Sequence, residues 1–188
     1  MPVTHTSRTK KIYYLHTGPK RGGGIQYFVS TKPIGSLAER LPDGFEIHET
    51  VNGQVHLRRV QPKLIPDEEL ECVKRRLPQP AGSHRYKVEA QGNTITIHQS
   101  QDDTDLLQNV APHLSLRERE RISVQFAHYQ PVLRFILSSA ENRRFAPERY
   151  CFRGSVDDWI SIGPPEPLSK LVARYLKHLG HDSFYDLF

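Results

Sequence analysis

Two dipeptides constrain this chain more than any other feature. Asn52-Gly53 and Gly92-Asn93 each stand between short runs of β-branched and aromatic residues. Such pairs turn a backbone through the positive φ angles that two-residue hairpin loops require. Gly92-Asn93, with glycine first, fits a type II′ turn. It sets Ala90 opposite Ile95 and Val88 opposite Ile97 on one face, with Lys87–His98 and Glu89–Thr96 on the other. One face is apolar and the other polar, as a half-buried antiparallel sheet requires. Asn52-Gly53 fits a type I′ turn within residues 45–60. Its two-residue loop pairs Val51 with Gln54, Thr50 with Val55, Glu49 with His56, Ile47 with Arg58 and Glu46 with Arg59. Opposite charges then face each other twice, and His48 and His56 fall on opposite faces of the hairpin.

Two more hairpins follow from composition. Residues 12–15 and 25–29 are rich in Ile, Tyr, Phe and Val, and the glycine-rich stretch 18–24 joins them. Residues 130–137 and 145–152 form the second pair, across a turn at Glu141-Asn142. Residues 1–10 are polar and read as a flexible tail. Residues 99–113 read as a polar loop or short helix.

Helical signals are fewer. Residues 67–77 place Leu70, Val73 and Leu77 at helical spacing, with carboxylates first and cations last, the order the helix dipole favours. Ser115 and Glu118 have the spacing of a capping box, so a helix to about residue 125 is expected. Ser155 and Asp158 share that spacing and predict a short helix carrying Trp159. Over 167–179, Leu168, Leu171, Val172, Tyr175, Leu176 and Leu179 form one apolar stripe ahead of Gly180, a glycine suited to the C-terminal cap. The apolar end of the chain, with Phe184 and Leu187, is expected to dock on the core. The fold class is therefore α+β: antiparallel β-hairpins forming a sheet, packed with about three helices, the last amphipathic. The expected organisation is one domain over 1–188, with residues 78–83 as the candidate seam.

Several function classes lose support. No apolar run approaches the roughly 20 residues that span a bilayer, and the basic N-terminus lacks the apolar core of a secretory signal. A cytoplasmic protein without membrane partners is expected. Cys72 and Cys151 are too few for a disulfide framework and lack metal-ligand spacing. Neither a metal nor another cofactor is expected, and no motif decides whether the chain is an enzyme. The net charge is +5. Residues 1–76 hold 13 Lys and Arg against 8 Asp and Glu, while 77–188 hold 13 of each. The whole excess therefore lies in the first part, where it would favour nucleic acid or an acidic protein surface.

Two candidate sites follow. Lys20, Arg21, Arg58, Arg59 and Lys63, interleaved with Tyr13, Tyr14, Tyr27 and Phe28, could bind single-stranded nucleic acid through phosphate contacts and base stacking. A plain flexible hairpin loop is the simpler account of Lys20 and Arg21, and Arg59 has Glu46 opposite. The second site is the stretch 149–159, with Arg149, Cys151, Arg153, Asp157, Asp158 and Trp159 near an expected strand-to-helix junction. Backbone N–H groups at a helix start bind anions. A nucleophilic Cys151 would need a base such as His128 or His178. The best reading is a non-catalytic binding protein with a basic N-terminal sheet. The alternative is a small enzyme or ligand-binding protein with its site near 149–159.

Overall fold

The computed structural model describes residues 1–78, 84–101, 113–153 and 156–187. It is an α+β structure of antiparallel sheets and helices, divided into two compact units. Unit 1 contains residues 1–61 and 102–127; unit 2 contains 62–101 and 128–188. The division runs near residues 61, 101 and 127, where one continuous domain was expected. Most of the anticipated seam, 79–83, lies outside the described residues, as does most of the stretch 99–113.

Unit 2 is built on a five-strand path, to which a short sixth strand attaches. Strands β6 (Tyr86–Gln91), β7 (Thr94–Ser100), β8 (Tyr129–Ser139), β9 (Arg144–Arg153) and β10 (Val156–Ser161) lie side by side, and β11 (Glu166–Pro167) pairs with β9. The first hairpin has the register that its turn dictates: Val88 faces Ile97 and Lys87 faces His98. Gly92 has φ +57°, and Asn93 is not left-handed, the type II′ pattern. Between β7 and β8 the register shifts at Ile97/His98, so that Val132 is an extra residue and joins the core beside Leu133.

The inner face of this sheet carries Ile95, Ile97, Leu133, Phe135 and Phe145, all fully buried. Helices α1 (Asp67–Arg75) and α3 (Leu168–Tyr175) complete that core with Val73, Leu171 and Val172. All six apolar positions expected on the last helix are buried, although a 3-10 turn takes over at Leu176–His178. Each such side chain contributes about 1.5–3 kcal/mol of transfer free energy. The chain end docks as anticipated: Phe184 is buried and Leu187 packs on the core.

Two tight contacts hold the helices. Arg143, at φ +45° in the β8–β9 turn, donates Nε to Glu69 Oε1 at 2.9 Å and pairs with Glu69 again through Nη2, fixing the start of α1. Gly180 has φ +78°, and a Cβ there would stand 2.5 Å from Arg85 Nη2 and 2.9 Å from the Tyr86 hydroxyl. Only glycine meets both demands.

Unit 1 contains a three-stranded sheet in the order β1 (Thr4–Thr6), β2 (Ile12–Pro19), β3 (Ile25–Ser30), and a separate hairpin of β4 (Phe45–Glu49) with β5 (Val55–Arg59). Helix α2 (Leu116–Phe126) starts with the expected capping box at Ser115 and Glu118. Leu15 and Ala38 are buried here, as are Ser7 and His16.

Three expectations need correction. Residues 4–6 are a strand, so the first ten residues are not a free tail: Thr4 pairs with Tyr14, and Val3 N–H donates to the Ala38 carbonyl at 2.9 Å. The Asn52-Gly53 loop has three residues rather than two. Gly53 is left-handed at φ +76° but Asn52 is not, and the Thr50 N–H closes on the Gln54 carbonyl at 2.9 Å. The register therefore slips by one, placing Glu46 opposite Arg58 and His48 opposite His56. Finally, Val156–Ser161 is a strand rather than a helix, paired with β9 from Val156↔Arg153 to Ser161↔Glu148.

His98 gives the fold a pH signature. Its imidazole is pushed down to about 4, first by burial and then by the Lys87 ammonium, with a backbone hydrogen bond at Thr96 opposing. The folded state keeps the ring neutral, whereas the unfolded chain protonates it near 6.5. Its contribution is therefore complete above the unfolded value and is lost as pH falls toward 4. Because His98 is only partly buried, the effect is discounted to about 1–2 kcal/mol. Urea unfolding followed by Trp159 fluorescence at pH 7 and pH 4.5 should show the His98→Gln variant losing less stability than wild type by that amount. Equal losses would remove His98 as the cause.

Candidate functional site

The most distinctive surface lies in unit 1, where β1 turns into β2. Ser7 and Lys11 close that turn: the Ser7 N–H donates to the Lys11 carbonyl at 2.9 Å, and the Lys10 N–H donates to the Ser7 carbonyl at 2.8 Å. Lys10 sits at φ +65°, a region that costs a non-glycine residue about 1–2 kcal/mol. Arg8 anchors the turn from behind. Its N–H donates to Glu49 Oε1 at 2.7 Å, while its guanidinium donates to the Ala127 carbonyl at 2.5 Å and the Val124 carbonyl at 3.3 Å. His5 Nε2 lies 2.8 Å from Glu49 Oε2 on the same carboxylate.

This frame presents a shallow groove of about 490 Å³, lined by Lys10, Lys11, Ile12, Tyr13, Tyr14 and Thr31. Lys10 and Lys11 are exposed, and neither ammonium has an ionic partner among the described residues. The β2–β3 hairpin continues from the groove. Ile25, Tyr27 and Phe28 are all exposed on β3, with relative exposures of 66%, 36% and 44%. Phe28 also stacks on the His16 ring, with centroids 5.2 Å apart. At the tip, Lys20 and Arg21 are exposed beside Gly22, Gly23 and Gly24, all left-handed. The arrangement can attract anions and can offer apolar or stacking contacts.

The other expected members of the basic set are committed elsewhere. Arg58 donates Nε to Glu46 Oε1 at 2.9 Å, and Arg59 lies over the Phe45 ring at 5.7 Å. Lys63 belongs to unit 2 and pairs with Asp67 at 2.6 Å. Of the five cations singled out in the sequence, Lys20 and Arg21 remain open. The sequence expectation leaves out Lys10 and Lys11, because residues 1–10 read as a flexible tail and Lys11 falls between that tail and the strand at 12–15. The available signal was the Thr4-His5-Thr6 segment ahead of Ser7, a short alternation with β-branched residues.

Within 149–159, residues 149–153 lie on β9 and 156–159 on β10, which pair as antiparallel strands, so the described residues form no strand-to-helix junction and no helix start for an anion. Arg149 is 3% exposed and points into the core. There it donates Nε to the Leu187 carbonyl at 3.1 Å and Nη2 to the Tyr185 carbonyl at 3.0 Å. Cys151 is buried. Arg153 ends β9 opposite Val156. Asp157 and Asp158 are exposed; the Asp157 carbonyl accepts from the Tyr150 hydroxyl, and Asp158 Oδ1 accepts from the Trp159 N–H at 2.7 Å. Trp159 meets Tyr150 edge to face at 5.2 Å and lies under Arg134 at 4.2 Å. Arg134, conspicuous in an apolar strand, finds its counter-charge in Glu148, 2.5 Å away. Of the histidines weighed as bases for Cys151, His178 is bonded to the Ser183 hydroxyl at 2.9 Å and His128 is exposed. Among the described side chains, those of Arg149, Cys151, Asp157, Asp158 and Trp159 do not converge on one pocket.

Unit 2 also holds a polar cavity of about 220 Å³, lined in part by Arg85, Gln99, His181 and Asp182. In unit 1 the corrected register brings His48 and His56 together, edge to face at 5.1 Å. Burial, then Arg58, then His56 hold the His48 ring below its ordinary value. Among the described residues, no group of three or more His, Cys, Asp or Glu is placed to hold a metal.

No known protein family matches the chain, and neither characterised proteins nor solved structures include a significant match.

The left-handed Lys10 supplies a test of whether this surface trades stability for display. Lys10→Gly relieves the backbone and should be neutral or stabilising by up to about 1 kcal/mol, because glycine's larger unfolded-state entropy offsets part of the gain. Lys11→Gly relieves nothing and should cost about 0.5–1 kcal/mol. Urea unfolding followed by circular dichroism checks the contrast. Equal destabilisation by both would show that Lys10 is not strained.

Proposed function

We propose that this chain is a non-catalytic binding protein whose unit 1 sheet engages an acidic partner at the groove of Lys10, Lys11, Tyr13 and Tyr14. The observation that carries this reading is the presentation of Lys10. A lysine occupies a left-handed position that glycine or asparagine would occupy more easily, and its ammonium stays uncommitted. Strained backbone collects at functional positions, where the surrounding structure holds it in place. Arg8 supplies that hold here. Lys11, Lys20 and Arg21 extend the positive field, and exposed Tyr27 and Phe28 add apolar contact area.

A catalytic reading centred on 149–159 has less support. Arg149 is occupied by the docked chain end, Cys151 is buried, and the two aspartates face outward.

Fluorescence anisotropy with labelled acidic probes, a glutamate-rich peptide and a single-stranded oligonucleotide, tests the proposal. Binding should be measurable at low salt and should weaken as ionic strength rises through the physiological range, because exposed charges are screened beyond about 8 Å at 0.15 M. The Lys10→Glu/Lys11→Glu double variant should bind at least about tenfold more weakly, a change of about 1.4 kcal/mol. Salt-independent binding, or a double variant equal to wild type, would defeat the proposal.

A further inference from the structure

The free edge of β3 gives the proposed binding surface a specific mode of recognition. In the hairpin tip, the Lys20 N–H donates to the Gly24 carbonyl at 3.0 Å. That bond marks Lys20·Gly24 as a hydrogen-bonded pair, and such pairs alternate along an antiparallel ladder. With Gly18↔Gln26, His16↔Phe28 and Tyr14↔Ser30 in register, Gln26, Phe28 and Ser30 turn their backbone groups toward β2. Ile25, Tyr27 and Val29 turn theirs away. The same parity holds on β2: Leu15 and Thr17 donate to the other side, to the Val3 and Ser36 carbonyls.

β3 is the terminal strand of its sheet, and among the described residues no ladder joins it to another strand on its far side, although β5 approaches β3 without pairing with it. Protein edges are ordinarily blunted by lysine, proline or a bulge. The sequence of β3, Ile-Gln-Tyr-Phe-Val-Ser, contains no charge, proline or glycine, and its first four residues are exposed on the strand. The charges stand at its two ends instead. Lys20 and Arg21 precede it, while Lys32 follows it, with Lys10 and Lys11 across the groove that Thr31 lines. A second copy of this strand, paired antiparallel, would bring Lys20 and Arg21 of one copy toward Lys32 of the other. Like charges would meet at both ends, which disfavours self-pairing. An extended segment with an apolar centre and acidic flanks is matched in both respects.

Resting on the binding reading above, we infer that the partner is an extended, acidic-flanked peptide segment that adds as a strand to β3, hydrogen-bonded to the backbone of Ile25 and Tyr27. Main-chain bonds supply affinity in such additions, and the alternating side chains and flanking charges supply selectivity. A nucleic-acid strand could use the same cations and stack on Tyr27 or Phe28 but would not engage the outward amides in this alternating pattern.

The test uses a labelled peptide with alternating valine and threonine at its centre and glutamates at both ends. Amide hydrogen exchange by NMR should show the Ile25 and Tyr27 N–H groups slowed at least about tenfold by the peptide. The Gln26 and Phe28 N–H groups, already bonded to β2, should change little. In anisotropy, Tyr27→Pro removes an outward donor while sparing the ladder to β2, a placement that edge strands tolerate. It should weaken the peptide at least about tenfold, whereas Tyr27→Val should weaken it no more than about threefold. Circular dichroism confirms that both variants fold, and the exchange pattern stands without them. If Tyr27→Val loses as much as Tyr27→Pro, or if the outward amides stay as fast as in free protein, strand addition is overturned. If the oligonucleotide alone binds in a Lys10- and Lys11-dependent manner, strand addition falls while the anionic-partner reading survives. If no probe binds at low salt, both fall.

Discussion

The Arg8 guanidinium reaches the last carbonyls of α2, at Val124 and Ala127, while the Arg8 backbone N–H is received by Glu49. Four separate stretches of unit 1 meet through this residue: the β1–β2 turn, the end of β4, the β4–β5 loop and the C-terminus of α2. A helix end presents carbonyls that no following turn can satisfy, and the dipole there favours a cation. Arg8 answers both needs and gains an anchor far away in sequence. The contact also shapes the β4–β5 loop. A Cβ on Gly53 would lie 3.2 Å from Arg8 Nε, so the loop passes close against the arginine at its left-handed glycine. The position of Lys10 and Lys11 thus depends on a residue that takes no part in the groove itself.

Unit 2 uses the same device at its own chain end. Arg149 is almost fully buried, which would be costly for a charge without partners. It donates to the Tyr185 and Leu187 carbonyls, groups that lie beyond the last regular element and have no strand to bond with. Arg143 does the comparable task at the front of α1, pairing with Glu69 while also reaching the Leu64 carbonyl. Arginine suits these positions because its planar fork offers several fixed donors. Much of the chain's arginine content is therefore structural, which explains why a count of cations overstates the surface available to an acidic partner.

The contrast between the two hairpins shows what could be read from the sequence. At Gly92-Asn93 the turn alone sets the register, and the apolar alternation of Val88, Ala90, Ile95 and Ile97 reinforces it. At Asn52-Gly53 the dipeptide points to one register, while the alternation of Phe45 with Ile47 and of Val55 with Leu57 favours Ile47 opposite Leu57, the register observed, and the loop takes one more residue than the dipeptide suggests. Arg8, more than forty positions earlier, packs against that loop, a contact the local sequence does not announce. Ser155 and Asp158 share the spacing of Ser115 and Glu118, yet only the latter open a helix. Residues 156–161 instead pair along β9, and the tertiary ladder overrides a local cap signal. The buried face of the last helix was legible because its stripe of six apolar residues has one solution, although the switch to a 3-10 turn at Leu176 was not. The candidate groove was not, because its key residue is defined by a left-handed backbone that sequence alone does not mark.

The separation of charge from edge gives the unit 1 surface its logic. An uncharged edge strand invites indiscriminate pairing, and a basic surface alone attracts any polyanion. Here the two are adjacent but not superimposed: the backbone donors and acceptors lie on Ile25–Ser30, and the uncommitted cations stand before and after it. On the proposed reading, a ligand would satisfy two conditions at once, an extended backbone free to hydrogen-bond and negative charge at a fixed distance from that stretch. Each condition rejects a class the other would admit. Neutral strands lose the attraction of the flanking lysines, and compact anions cannot reach the outward amides of Ile25 and Tyr27 while touching both ends. Selectivity of this kind needs no deep pocket, which accords with a groove that is shallow and a hairpin that projects its apolar residues into solvent.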